Sequence, residues 1–262
     1  MKDLRMFIDG KFVENKSDKW INVLNPSTEE VVSRQPEGTV EDTKAAIDAA
    51  EKAQPAWAKL TPVERAGYLR KIAAGIRNRE KELTDIIVKE GGKTQGLANV
   101  EAMFTADYID YMAEWARRYE GEIIQSDRAN ENIFLFKRPI GVAAGILPWN
   151  FPFFLIARKA APALVTGNTI VIKPSQLTPE NAYVFAEVVE EAGLPAGVFN
   201  LVMGRGSVIG NALAKNPKVG IVSLTGSVEA GQQIMMAAAP NITKVSLELG
   251  GKAPAIVLPD AD

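Results

Sequence analysis

The residues best suited to chemistry in this sequence are charged groups that end or interrupt short apolar runs. Lys173 ends the run TIVIK, and Glu248 lies between two leucines just before a pair of glycines. A carboxylate held among apolar side chains has a raised pKa and suits a general base, although strand alternation would instead direct Glu248 to solvent. An unpaired lysine at the mouth of an apolar strand either extends its ammonium to solvent or binds something.

Two segments of small residues could hold a phosphate group. The segment LTGS at 224–227 leaves backbone N–H groups open at the start of a predicted helix, where a pyrophosphate can bind. Helix capping by Thr225 or Ser227 explains the same residues equally well. The segment GRGSVIG at 204–210 also joins a strand to a helix, but its last spacing is one residue longer than the usual dinucleotide fingerprint. A tight turn is an equally good explanation of that segment.

The residue types that the sequence lacks exclude several chemistries. Its 262 residues include no Cys and no His, so they provide no disulfide, thiolate nucleophile, imidazole base or common zinc site, and we predict no metal. A net charge of -2 provides no basic field for nucleic acid or a membrane surface. The sequence has neither a secretory apolar core nor eighteen uninterrupted apolar residues, so we expect a cytoplasmic protein.

The second half of the chain predicts a sheet that would bring the candidate residues together. After Gly141, short apolar runs alternate with helical stretches near residues 142–147, 169–173, 198–202, 219–224 and 243–249. This alternation predicts an α/β fold with a doubly wound, parallel, five-stranded Rossmann-like sheet. Ligands of such sheets bind beyond the carboxyl ends of the strands, where the residues considered above lie.

The first part of the chain, residues 1–120, is predicted to be mainly helical. Apolar spacing and a capping box at Thr61 predict helices over 61–78, 80–90 and 95–118, and short strands are expected near 6–14 and 20–24. Residues 121–140 combine a polar stretch with the strand-like IFLFK, which predicts a projecting β-hairpin. Such an arm could contact a second subunit, or it could be a simple sheet edge or flap.

Five motifs at the predicted strand ends resemble the aldehyde dehydrogenase family. They are GILPWNFPF at 145–153, GNTIVIKPSQ at 167–176, GRGSVIG at 204–210, LTGS at 224–227 and LELGGKAP at 247–254. The resemblance covers essentially the whole chain, and residues 105–128 look closest to the lactaldehyde and glycolaldehyde dehydrogenases. It implies oxidation of an aldehyde to a carboxylic acid through a cysteine thiohemiacetal and a thioester, with NAD or NADP as cofactor.

The resemblance also implies roles for individual residues. Asn150 matches the asparagine whose amide stabilises the oxyanion, and Glu248 matches the carboxylate that activates water to hydrolyse the thioester. Lys173 matches a lysine that hydrogen-bonds the adenine ribose, and Ser227 matches a pyrophosphate contact. The implied cofactor site comprises Ile146, Leu147, Pro148, Trp149, Lys173, Pro174, Ser175, Gln176, Gly206, Gly210, Asn211, Leu224, Thr225, Gly226, Ser227 and Leu249.

The chain departs from the family pattern at Gln176. Members that prefer NAD often have a glutamate there, which accepts hydrogen bonds from the ribose hydroxyls and repels a 2′-phosphate. An amide still forms hydrogen bonds but removes the repulsion. We therefore expect this chain to bind both NAD and NADP.

The family's cysteine nucleophile and its substrate-binding domain lie farther along than Asp262. Residues 1–120 and 141–252 thus resemble the cofactor-binding half, 121–140 its oligomerisation arm, and 253–262 the start of the catalytic domain. We expect the chain to bind the dinucleotide without oxidising aldehydes, to meet the aldehyde only together with the absent domain, and to form homo-oligomers through the arm. The alternative is a noncatalytic dinucleotide-binding or scaffolding module of the same fold.

Overall fold

A computed structural model of the chain describes residues 1–15 and 17–261. Strands and α-helices are numbered separately in chain order. The strands are β1 (Lys2–Asp3), β2 (Met6–Ile8), β3 (Lys11–Val13), β4 (Trp20–Leu24), β5 (Val31–Pro36), β6 (Glu122–Gln125), β7 (Asn132–Leu135), β8 (Val142–Ile146), β9 (Thr169–Lys173), β10 (Phe199–Leu201), β11 (Val219–Gly226) and β12 (Lys244–Leu249). The helices are α1 (Val40–Lys59), α2 (Pro62–Asn78), α3 (Glu80–Gly91), α4 (Gln95–Glu114), α5 (Phe154–Val165), α6 (Glu180–Glu191), α7 (Asn211–Lys215) and α8 (Val228–Ala238).

The main sheet contains the five predicted parallel strands and two more. Its order is β12-β11-β8-β9-β10-β2-β3, and the strands from β12 to β10 pair in parallel. The N-terminal hairpin β2–β3 extends it, because β2 pairs antiparallel with β10 at Leu201 and Phe7. The sheet therefore has seven strands instead of five. The predicted strand near 6–14 is two strands joined by a turn with positive φ at Asp9 and Gly10.

Helices enclose the centre of this sheet. Every residue of β8 and β9 is buried, and α1 and α5 both pack on these strands. The predicted helices at 61–78, 80–90 and 95–118 are present as α2, α3 and α4, the last continued by a short 3-10 turn at Trp115–Arg117. Helices α2 and α4 pack on each other and both contact α5. The core is thus continuous from the sheet into the N-terminal helices.

Two smaller sheets lie outside the main sheet. The expected hairpin in 121–140 is present, with β6 and β7 paired antiparallel and every residue of both strands exposed. Strands β1, β5 and β4 form a separate small sheet. No helix in the described residues combines the length and apolar character that crossing a bilayer would require.

Candidate functional site

The carboxyl ends of β8, β9, β11 and β12 open on one cleft of about 780 Å³. Lys173, Ser227 and Glu248, which come from three different strand ends, all line it. The other predicted residues that line it are Ile146, Leu147, Pro148, Trp149, Asn150, Ser175, Gln176, Gly206, Leu224, Thr225, Gly226 and Leu249. The parallel register of the strands thus brings most of the predicted site together.

Three predicted cofactor residues do not line the cleft. Pro174 is buried directly after β9. Gly210 is also buried, and a Cβ there would lie 3.6 Å from Ile146 Cδ1, so it permits close packing behind the cleft wall. Asn211, the first residue of α7, donates from Nδ2 to the carbonyl of Ser207 at 2.8 Å and so ties the start of α7 to the preceding turn at 206–210.

Lys173 is a buried cation without a protein partner. Its exposed fraction is 4%, and it has neither a hydrogen bond nor an ion pair with any of the residues that the structure describes. Desolvation by burial lowers the pKa of its amine to about 8. A Cβ at Gly206 would lie 3.9 Å from Lys173 Nζ, so the amine faces the turn at 204–210. The lysine side chain is buried up to its amine, which opens on the cleft, and the unused donors of the amine suit a polar ligand there.

Ser227 caps α8 at the edge of the cleft. Its Oγ accepts from the Ala230 N–H at 3.1 Å, so the capping interpretation of the LTGS segment is confirmed. Capping uses the oxygen as an acceptor, and the hydroxyl hydrogen remains available to donate. The N-terminal end of α8 also carries partial positive charge, so this turn has the properties of an anion site as well.

Glu248 differs from the expectation of an apolar setting. Its side chain is 55% exposed, and Oε1 lies 3.4 Å from Arg158 Nη2. The physical reason is position, since β12 is the edge strand of the sheet and its residues are covered from one side only. Strand alternation, the other interpretation of the sequence, matches this placement.

Asn150 is exposed at the other side of the cleft, on a loop that is held in place by the ion pair of Lys93 and Glu101. Its Oδ1 accepts from the Phe151 N–H at 3.1 Å, and its carbonyl accepts from Lys93 Nζ at 2.9 Å. Lys93 pairs with the buried Glu101, whose Oε1 also accepts from the Phe153 N–H at 2.9 Å. This network fixes the loop, and Asn150 Nδ2 can donate to a ligand because it has no acceptor among the residues that the structure describes.

The sequence analysis missed Lys159, a buried lysine of α5. Its Nζ donates to Ser223 Oγ at 2.8 Å and to Thr225 Oγ1 at 3.0 Å, and burial lowers the pKa of its amine to about 8. Gly145 leaves room for the Lys159 side chain to reach these hydroxyls, because a Cβ at position 145 would lie 3.2 Å from Lys159 Cδ. A lysine within the apolar helix FLIARKAAPALV was the available signal. It fixes the end of β11 next to the cleft.

Comparisons with known proteins find a matching family and similar proteins over nearly the whole chain. The sequence profile of the aldehyde dehydrogenase family matches residues 12–262. The chain is 69% identical to lactaldehyde dehydrogenase of Escherichia coli (strain K12), over 98% of this chain and 54% of that protein. It is 43% identical to D-glyceraldehyde dehydrogenase (NADP(+)) of Thermoplasma acidophilum, over 99% of this chain and 53% of that protein.

The same similarity appears in three dimensions. The crystal structure of lactaldehyde dehydrogenase from Escherichia coli superposes with a TM-score of 0.96 at 68% sequence identity, covering 97% of this chain and 53% of that one. The chain spans about half the length of the curated relatives that it matches.

Proposed function

Because the chain belongs to the aldehyde dehydrogenase family, whose cofactor is NAD or NADP, we propose that it forms the dinucleotide-binding part of an enzyme that oxidises a small aldehyde to a carboxylic acid. The similarity to lactaldehyde dehydrogenase favours a short hydroxyaldehyde such as lactaldehyde or glycolaldehyde as the substrate. The observation that carries the proposal is Lys173, a buried amine that faces the cleft and has no partner in the part of the chain that the structure describes.

The residues of the cleft fit a nicotinamide dinucleotide. Lys173 would donate to the hydroxyls of the adenine ribose, and Ser227 with the first turn of α8 would hold the pyrophosphate. Leu147 and Trp149 would form the wall beside the nicotinamide. When bound, the dinucleotide supplies the hydride acceptor.

Asn150 and Glu248 would act on the substrate. Asn150 Nδ2, free to donate on an anchored loop, would stabilise the oxyanion, a role worth on the order of 3 kcal/mol. Glu248 would accept a proton from the water that hydrolyses the thioester, and its exposed position at the cleft allows water to reach it. The presence of this carboxylate favours hydrolysis over transfer to coenzyme A.

The thiol nucleophile would come from polypeptide outside these 262 residues, which contain no Cys. We expect the purified chain to produce no acid from aldehyde and NAD or NADP. Cofactor-dependent acid production by a preparation free of full-length enzyme would contradict this expectation. Extending the polypeptide through the second half and assaying lactaldehyde, glycolaldehyde and longer aliphatic aldehydes would identify the substrate class.

Calorimetric titration of the chain with NAD and with NADP tests the binding function. We expect saturable binding of both, and a large loss of affinity in Lys173→Met, because this variant keeps the buried apolar stem and removes the donor. The matched control is Lys44→Met, which alters an exposed lysine of α1. The proposal fails if neither dinucleotide binds, or if the two variants bind equally well.

A further inference from the structure

Gln35 is a buried amide that joins the small sheet to the cleft. It lies on β5, its exposed fraction is 0%, and its Nε2 donates to the backbone carbonyl of Gln176 at 2.7 Å. The two residues are 141 positions apart in the chain. Strand β5 belongs to the small sheet and pairs with no strand of the main sheet, so this hydrogen bond connects two separate structural units.

The segment that receives this bond has no regular structure of its own. Gln176 follows β9, lines the cleft, and precedes α6. At the far end of the segment, the buried carboxylate of Glu90 accepts from the Glu180 N–H at 2.8 Å and from the Asn181 N–H at 3.0 Å. The segment is thus fixed at β9 and at the start of α6, and Gln35 holds its middle.

The Gln35 amide uses one of its two N–H donors and neither lone pair of its oxygen in hydrogen bonds with the described residues. Its Oε1 is buried and has no partner among the described residues. A buried unsatisfied acceptor is unfavourable, so the amide is a poor choice for stability alone. An apolar residue of similar length would remove this defect but would also remove the donor to Gln176.

From these contacts we propose that Gln35 is a positioning residue that orients Gln176 toward the adenine ribose of the bound dinucleotide. This inference rests on the proposed function. Fixing the Gln176 carbonyl limits the rotation of its peptide group, and therefore the direction in which its side chain enters the cleft. Gln35 acts through Gln176 and does not itself line the cleft.

The test uses Gln35→Met in the full 262-residue chain, with Ser33→Ala as the matched control. Ser33 is buried on the same face of β5, two residues away, and its hydroxyl makes no hydrogen bond to Gln176 or to any other described residue of the cleft. We expect Gln35→Met to weaken NAD binding about fivefold, as for the loss of one hydrogen bond, with little change in melting temperature. Ser33→Ala should bind NAD as the unmodified chain does.

Two further measurements separate positioning from a general structural effect. Displacement of bound NADH by AMP should weaken in Gln35→Met, whereas displacement by nicotinamide mononucleotide should not change. In a Gln176→Ala background, Gln35→Met should have no additional effect on NAD binding, because the side chain that it positions is absent.

Other results would overturn the inference. These are unchanged NAD affinity in Gln35→Met, equal weakening of both mononucleotides, additive effects in the double variant, or unfolding of Gln35→Met while Ser33→Ala stays folded. If the unmodified chain binds neither NAD nor NADP, the proposed function itself fails, and this result is distinct from all of the others.

Discussion

At the scale of single residues, burial and partners distinguish the members of the cleft more clearly than charge does. Lys173 and Lys159 are both buried lysines with a pKa lowered to about 8 by desolvation. Lys159 satisfies its amine with two hydroxyls, whereas Lys173 has no protein partner within the described residues. Lys159 therefore stabilises the end of a strand, and Lys173 is available to a ligand.

The pKa of Lys173 predicts how affinity depends on pH. The protonated amine is the stronger donor to the ribose hydroxyls, so NAD affinity should change little below about pH 7 and fall as the pH rises through 8 and the amine loses its proton. In Lys173→Met this fall should disappear, although Lys159 titrates in the same range. Calorimetry across this pH range checks the prediction, and a fall that persists in Lys173→Met would contradict it.

The side chain of Gln176 predicts the choice between cofactors. An amide does not repel a 2′-phosphate, so the affinities for NAD and NADP should differ by less than about 100-fold, or 2.7 kcal/mol. Gln176→Glu should weaken NADP binding about tenfold or more and leave NAD binding nearly unchanged, because only NADP carries the additional negative charge. Parallel titrations measure both ratios. A preference for NAD above 100-fold in the unmodified chain would refute the expectation.

At the scale of elements, helix caps account for several boundaries in the N-terminal region. Thr61 accepts from the Glu64 N–H, and the Glu64 carboxylate accepts from the Thr61 N–H at 2.7 Å, which forms a reciprocal capping box at the start of α2. Thr94 stands at the same position of α4, but its side chain makes no capping hydrogen bond. The two threonines therefore occupy equivalent N-cap positions, and only Thr61 makes a capping hydrogen bond.

This pair predicts different effects of the same substitution. Thr61→Ala should lower the free energy of unfolding by about 1 kcal/mol, the usual magnitude for loss of a cap. Thr94→Ala should change it much less, since no cap bond is lost. Denaturant titration of both variants measures the difference, and equal effects would show that the cap at Thr61 is not stabilising.

Local signals explain which elements could be predicted from the sequence. The five parallel strands were found because each is a short apolar run, and the helix from Pro62 has both a cap and apolar spacing. Helix α1 was missed although Thr39 and Asp42 form a capping box, because an aspartate replaces the more familiar glutamate. Strand β5 was not predicted because Ser33, Arg34 and Gln35 interrupt its apolar pattern, and the pairing of β2 with β10 was not predicted because the two strands lie far apart in the sequence.

The same distinction applies to the site. Strand ends identified most of the cleft residues, because parallel strands place their carboxyl ends at one edge. The exposure of Glu248 and the contact from Gln35 to Gln176 depend on which strand forms an edge and on how a second sheet packs. Neither can be derived from residue spacing.

At the scale of the whole molecule, the hairpin of β6 and β7 and the residues that follow it expose a group of apolar side chains outside the cleft. Ile123 is 79% exposed, Phe134 56% and Phe136 69%. An isolated two-stranded hairpin is marginally stable in water, and exposed apolar clusters indicate contact surfaces. We propose that this arm joins copies of the chain in a homo-oligomer.

Sedimentation velocity tests the role of the arm. Phe134→Lys should shift the chain toward the monomer, because a charge in the contact is desolvated on association. The control Met236→Lys changes a residue of α8 that is 69% exposed and should leave the distribution unchanged. A monomeric unmodified chain, or equal shifts in both variants, would contradict an oligomeric arm.

The central claim is that four strand ends hold one dinucleotide, and hydrogen exchange in the presence of NAD tests it most directly. We predict slower amide exchange in the segments that form the cleft, 172–177 and 224–231, and no change in the hairpin at 122–135. The Lys173→Met variant should lose this protection at the same NAD concentration. If NAD slows exchange only on other surfaces, or does not change exchange in either cleft segment, the claim that these strand ends hold a dinucleotide is wrong.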